Sequence, residues 1–384
     1  GWILVDGPLV SAPPKREGED VDRLAGVSGF GGVYGTGIVR PQRGSSIVIG
    51  YESALAFWRR VRVEDPMWTR ELLGQLYSDE MLATLDAEAL AADTSLRPLE
   101  LPNSPLERVR RTARILGLDE PLDVVVGRQT ARRNSQTATC RVWTGPLANG
   151  LIACVDRGTY VAAPELALAQ MLHSLSISKL IALGMELCGS YSPLQGDCVW
   201  NLAALTNTAR LRWLAGFLDG CRGAKKFRRA SQYILDNSAS PMESKLAMLL
   251  SLPRPMGGFG CEPPQLNRRI ELTARAKREC ARSYLVADLF FPNAGVDVEY
   301  QGKEWHRSDD ARRHDEARQN ALTMMGLTCL FVSSEHMVDE ARLAALSDTI
   351  RRRAGVRKMR SPETPEMRIA RSTLLYESPL VLSN

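Results

Sequence analysis

The periodicity of apolar positions changes several times along the chain. Residues 1 to about 45 are rich in Gly and Pro and keep no sustained period. Gly26–Gly37 holds several GxG steps but completes no GxGxxG, so a flexible leader is expected rather than a phosphate loop. Ile47–Ile49 reads as a short buried strand, followed by a helix with Tyr51, Leu55 and Trp58 on one stripe. Residues 66–118 are helical in pieces, broken near Pro98, Pro102 and Pro105. Leu122–Val126, Cys140–Thr144 and Leu151–Val155 read as strands, the first followed by a polar loop with Arg128, Arg132 and Arg133. A helix is expected from Pro164 to Leu187, with Leu166, Met171, Leu175, Leu180 and Leu183 mostly inward and His173, among apolar neighbours, a satisfied core or boundary histidine rather than a ligand. A further helical block spans Thr208–Asn237.

From Ser240 the pattern is more specific. Ser240-Pro241-Met242-Glu243 opens a helix: Ser caps, Pro suits the first turn, and Glu three residues later completes a capping box. Leu246, Leu249 and Leu250 form its apolar stripe, with Glu243 at the border; a plain helix cap is the competing role for this residue. Strands are expected at Ile270–Thr273 and Tyr284–Phe291, then a turn at Pro292-Asn293-Ala294-Gly295 and a strand at Val296–Gln301. On the second of these, Asp288 falls on the face of Tyr284, Val286 and Phe290, where the pattern expects an apolar residue. On the third, Val296, Val298 and Tyr300 alternate with Asp297, Glu299 and Gln301. Asp297 fits a polar, solvent-facing position on an edge strand. A helix from Ser308 to Met325, a strand at Leu327–Val332 and a helix from Glu335 to Arg353 complete the pattern.

The hairpin brings Asp288 and Glu299 together, eleven positions apart across a tight turn. Two crowded carboxylates repel each other unless a cation lies between them. Mg2+, or Mn2+, suits them, because such ions prefer hard oxygen ligands and keep waters for chemistry.

Composition is that of a globular protein, with 44% hydrophobic and 24% charged residues, and 384 residues suggest two or three domains. No apolar run reaches the length of a membrane helix, and Gly1–Pro14 lacks the basic flank of a signal peptide; a cytoplasmic location and no membrane partner are expected. Eight cysteines form no CxxC pair and no zinc spacing with the four histidines. A net charge of +5 permits a polyanionic partner. Lys225, Lys226, Arg228 and Arg229 form one basic cluster, and Arg351, Arg352, Arg353, Arg357, Lys358 and Arg360 another. The first is the candidate DNA contact; a solvated helix face is the alternative for either.

Several short motifs then combine: Ser240-Pro241-Met242-Glu243, Ala287-Asp288, Glu299-Tyr300-Gln301-Gly302, His306, Asp315 with Arg318, and Gly326. Together they resemble the PD-(D/E)XK nuclease superfamily, and within it the branch of very-short-patch-repair endonucleases, over about 110 residues. The resemblance implies an α/β fold whose C-terminal core is restriction-endonuclease-like, a mixed sheet flanked by helices, preceded by a mainly helical α+β region. It implies a Mg-dependent endonuclease hydrolysing DNA phosphodiesters, in phage defence or DNA repair. Asp288 and Glu299 would hold the metal with help from the Tyr300 carbonyl. Gln301, Lys303 or His306 would orient or deprotonate water, and Glu243 would complete the acidic cluster. The sequence departs from the family at Gln301, where the superfamily's name implies lysine; glutamine is no base. Lys303 is a substitute if the strand continues past Gly302.

Tyr51-Glu52-Ser53-Ala54-Leu55, the segment 122–133 and the helix at Ala163-Pro164-Glu165 resemble, in order, AbiEi-type antitoxin proteins. The implied organisation is a leader at 1–45, an α+β domain at 46–205, a helical linker at 206–239, the nuclease-like domain at 240–354 and a tail at 355–384. A non-catalytic DNA-binding regulator that keeps the fold is the alternative function. Homodimerisation or a partner protein stays open beside DNA.

Overall fold

Strand β1 (Ile47–Ile49) is fully buried because it lies in the middle of a five-stranded sheet. The structure, a computed structural model, describes residues 46–77, 106–147, 150–156, 158–194, 197–301, 309–356 and 362–377. The expected leader at 1–45 lies outside them. All the described residues fall within one unit, Val39–Asn384.

After β1 come helices α1 (Tyr51–Glu64), α2 (Pro66–Leu76) and α3 (Leu106–Leu116), then strands β2 (Leu122–Val126), β3 (Ala138–Val142), β4 (Ile152–Asp156) and β5 (Thr159–Ala162). The sheet order is β3-β2-β1-β5-β4. β1 runs parallel to β5 and antiparallel to β2, while β2 and β3 are parallel. Trp58 of α1 is fully buried, and its Nε1 donates to Ala162 O at 2.8 Å, fixing α1 across the sheet.

Where one helix is expected at 164–187, there are two: α4 (Pro164–Gln170) and α5 (Ile177–Leu187). Side-chain oxygens compete with the helix ladder at the break. Ser174 Oγ donates to Met171 O at 3.2 Å, and Ser176 Oγ caps α5 by accepting from Lys179 N at 3.2 Å. His173 is consequently exposed at this corner, outside the core. A hairpin of β6 (Tyr191–Leu194) and β7 (Asp197–Trp200) follows, then α6 (Thr208–Phe217) and α7 (Ala224–Ser231). Gly220 and Gly223, both at positive φ, interrupt the helical block expected over 208–237.

The last part opens with α8 (Pro241–Ser251), followed by β8 (Gln265–Glu271), α9 (Ala274–Cys280), β9 (Tyr284–Phe291), β10 (Val296–Gln301), α10 (Asp309–Met324), β11 (Thr328–Ser333) and α11 (Glu340–Arg353). These four strands make a mixed sheet in the order β11-β10-β9-β8, with β8, β9 and β10 antiparallel and β10 parallel to β11. β10 is therefore an inner strand, not an edge. Within the stretch read as a tail, α12 (Pro365–Tyr376) buries Leu374 and Leu375. The protein is α/β, with mixed sheets flanked by helices. One hydrophobic cluster runs from Val48 through α8 and β9 to Leu375. Among the described residues, no helix is long and apolar enough to cross a membrane.

Candidate active site

The β9–β10 hairpin positions the central acids. Gly295, at φ +60°, closes its turn, a conformation that L side chains rarely adopt. The register Val296↔Phe291, Asp297↔Phe290, Val298↔Leu289 then sets Glu299 opposite Asp288. At that step the ordinary ladder stops and the carboxylates take over its bonds. Asp288 N donates to Glu299 Oε1 at 3.3 Å, and Tyr300 N donates to Asp288 Oδ2 at 2.9 Å.

The buried face of β9 is Leu285, Ala287, Leu289 and Phe291. Asp288 lies on the other, more open face, so it does not displace a core residue as the pattern suggested. Asp297 departs most from expectation. It has no exposed surface and is bound by an arginine, because β10 is an inner strand covered by α10.

That arginine is Arg318 of α10. Its Nη2 donates to Asp297 Oδ2 at 3.1 Å, and also to Glu299 Oε1 and to Val286 O. One guanidinium thus serves two acids, while Asp297 Oδ1 and Arg318 Nε stay buried without a hydrogen bond. The signal for Arg318 was present in the sequence. It shares the spacing of Ala321 and Leu322, both fully buried, so it is a charged residue on an inward helix stripe.

Glu243 belongs to the start of α8 and also adds its charge to the surroundings of Asp288. Ser240 Oγ caps α8 by accepting from Glu243 N at 3.1 Å, and Glu243 Oε2 accepts from Ala239 N at 2.9 Å and from Asn267 Nδ2 at 2.7 Å. Asn267 was not singled out from the sequence. It sits on β8 at φ +47°, where the β8–β9 register skips its pair, and it also donates to Asn237 O at 2.8 Å. Asn tolerates this left-handed geometry better than most residues.

The electrostatics follow from too many acids for one cation. Burial, then the charges of Glu299 and Glu243, push the Asp288 carboxyl up to about 7. Burial, then Asp297, push Glu299 up to about 8 against the pull of Arg318. Burial raises Asp297 and Glu243 as well. Crowding and burial thus favour the protonated forms of these carboxyls.

Gln301 ends β10, paired in register with Ser333 of β11. His336, also missed in the sequence, is anchored there: its Nδ1 accepts from Ser333 N at 2.9 Å. Lys303 and His306 lie outside the described residues. Among the described residues, no group of three or more His, Cys, Asp or Glu side chains is disposed to hold a metal. An ion here would take two protein carboxylates, Asp288 and Glu299, and complete its shell with water, as Mg2+ commonly does.

The candidate DNA contact on α7 is partly consumed by structure. Lys226 Nζ donates to Leu172 O at 2.7 Å and to Leu175 O, and Arg228 pairs with Asp219 at 2.9 Å. Lys225 and Arg229 are exposed. In the second cluster, Arg351 binds Phe259 O and Asp348, and Arg353 binds Ala294 O. No family model matches the chain, and neither curated proteins nor solved structures yield a match.

Proposed function

We propose that residues 240–354 form a metal-dependent endonuclease of the PD-(D/E)XK type, acting on DNA phosphodiesters. The observation that carries this reading is the hairpin that sets Asp288 opposite Glu299 on a mixed sheet, with both carboxyls pushed up toward neutral pH. A magnesium or manganese ion, when bound, would polarise the scissile phosphate and lower the pKa of a coordinated water. Asp288 and Glu299 would hold it. Tyr300 N orients Asp288, and Arg318 orients Glu299. Glu243 adds negative charge beside Asp288. Gln301 orients the attacking water without taking its proton.

Supercoiled plasmid incubated with Mg2+ or Mn2+ tests this. Glu299→Ala and Asp288→Asn are expected to slow nicking by on the order of 10²–10³-fold. A wild-type protein that nicks nothing in either metal would end the catalytic reading. A second reading has its own support: Arg318 lies on Glu299, supplying part of the charge a metal would, and Gln301 stands where lysine is expected. A DNA-binding regulator without turnover, antitoxin-like in its front half, would show duplex binding without magnesium and no nicking.

A further inference from the structure

The segment 265–284, spanning β8, α9 and the start of β9, carries Arg268, Arg269, Arg275, Lys277, Arg278 and Arg282 against only Glu271 and Glu279. Its net of four positive charges compares with +5 for the whole chain. All six basic side chains are exposed. Both acids are occupied: Glu271 accepts from Arg269 at 2.6 Å, and Glu279 accepts from Asn320 Nδ2 at 2.9 Å. The other five cations make no ion pair with a described residue. This differs from α7, where two of four cations are tied down.

Placement gives the patch a direction. Leu272 N donates to Ser283 O at 3.1 Å, so α9 is the connection of the β8–β9 hairpin. Arg269 pairs in register with Val286, two positions from Asp288 and on the same face of the sheet, roughly 7 Å along the strand. Its guanidinium lies over the Tyr284 ring, 3.8 Å from the centroid. On α9, Ala276 turns inward while Arg275, Lys277 and Arg278 face out. Charges on an edge strand also discourage strand pairing. That role accounts for Arg268 and Arg269, but not for the four cations beyond the strand.

We infer that the β8–α9 face is the phosphate track of a nucleic-acid duplex, leading the backbone to Asp288 and Glu299; the delivery to those acids rests on the nuclease reading above. Arg275, Lys277, Arg278 and Arg282, which make no ion pair with a described residue, suit regularly spaced phosphates. Within the segment 265–284 the one aromatic ring is Tyr284, and Arg269 already covers it, so the segment itself offers no free stacking platform for unpaired bases.

The test is fluorescence anisotropy of the full chain with a labelled 20-base-pair DNA duplex in EDTA, where no cleavage can interfere. Three variants are compared with wild type: R275E/K277E/R278E, its milder form R275A/K277A/R278A, and K225E/R229E on α7. The charge-reversed α9 variant is expected to bind at least tenfold more weakly. In the alanine form, the slope of log affinity against log salt should fall by about 2–3, near 0.9 for each phosphate that is no longer neutralised. K225E/R229E should change both far less. Unchanged affinity in both α9 variants, an equal loss in the α7 variant, or tighter binding of single strands than of duplex would overturn the inference. Failure of the nuclease reading shows separately, as an α9-dependent duplex complex that never nicks plasmid in magnesium or manganese.

Discussion

The two halves of the molecule bury acids in opposite ways. In the front half each buried acid has its own cation. Arg59 Nε and Nη2 donate to Glu186 Oε1 and Oε2, both at 2.7 Å, a two-bond fork. Glu165 accepts from Arg210 Nε at 2.8 Å and from Tyr77 OH at 3.1 Å, with the Arg210 guanidinium 4.8 Å from the Tyr77 ring centre. In the C-terminal part, Asp288, Asp297 and Glu299 crowd one arginine, with Glu243 close by. Removing one partner of a matched buried pair is strongly destabilising, whereas crowded buried acids repel one another and favour their protonated forms.

Removing one acid from each place should break this contrast most visibly, because the two effects have opposite signs. Glu186→Ala removes the two-bond carboxylate partner of the buried Arg59 and should cost about 3–5 kcal/mol in urea unfolding. Asp288→Asn keeps an acceptor for Tyr300 N but removes a repelled charge. It should raise metal-free stability at pH 8 by about 1 kcal/mol or more. Loss of stability in both variants would show that the acids of the hairpin are matched after all.

A smaller effect comes from pH. Asp288 and Glu299 hold protons more tightly folded than unfolded, with folded values near 7 and 8. Their contribution to stability is therefore complete below about pH 4 and is lost as pH rises through 7 and 8. In EDTA, wild type should lose stability relative to D288N/E299Q between pH 5.5 and 9, and the difference should level off above that. A difference that stays constant across the range would contradict the raised values.

The sequence was most legible where local chemistry fixes geometry. Ser240 caps α8 as its pattern indicates, the Pro292–Gly295 turn closes the hairpin, and strict alternation along β10 places Glu299 opposite Asp288. Long-range covering was harder to see. Asp297 looked solvent-facing because period-two alternation puts it beside Glu299 and Gln301. Its burial depends on α10 arriving from 21 residues away to lay Arg318 across it. Asn267 gave no signal, since its role needs β8, α8 and a left-handed backbone together. Charge clusters misled in a similar way. Lys226 and Arg228 look free in a linear reading, yet in space they cap carbonyls and pair with Asp219.

The central claim is that Asp288 and Glu299 share a divalent ion, and calorimetric titration of Mn2+ or Mg2+ at pH 8 into wild type and Asp288→Asn tests it most directly. The account predicts one ion per wild-type chain and at least tenfold weaker binding, by roughly 1.4 kcal/mol or more, in the variant. Silence in wild type, or an isotherm that the substitution leaves unmoved, would contradict it.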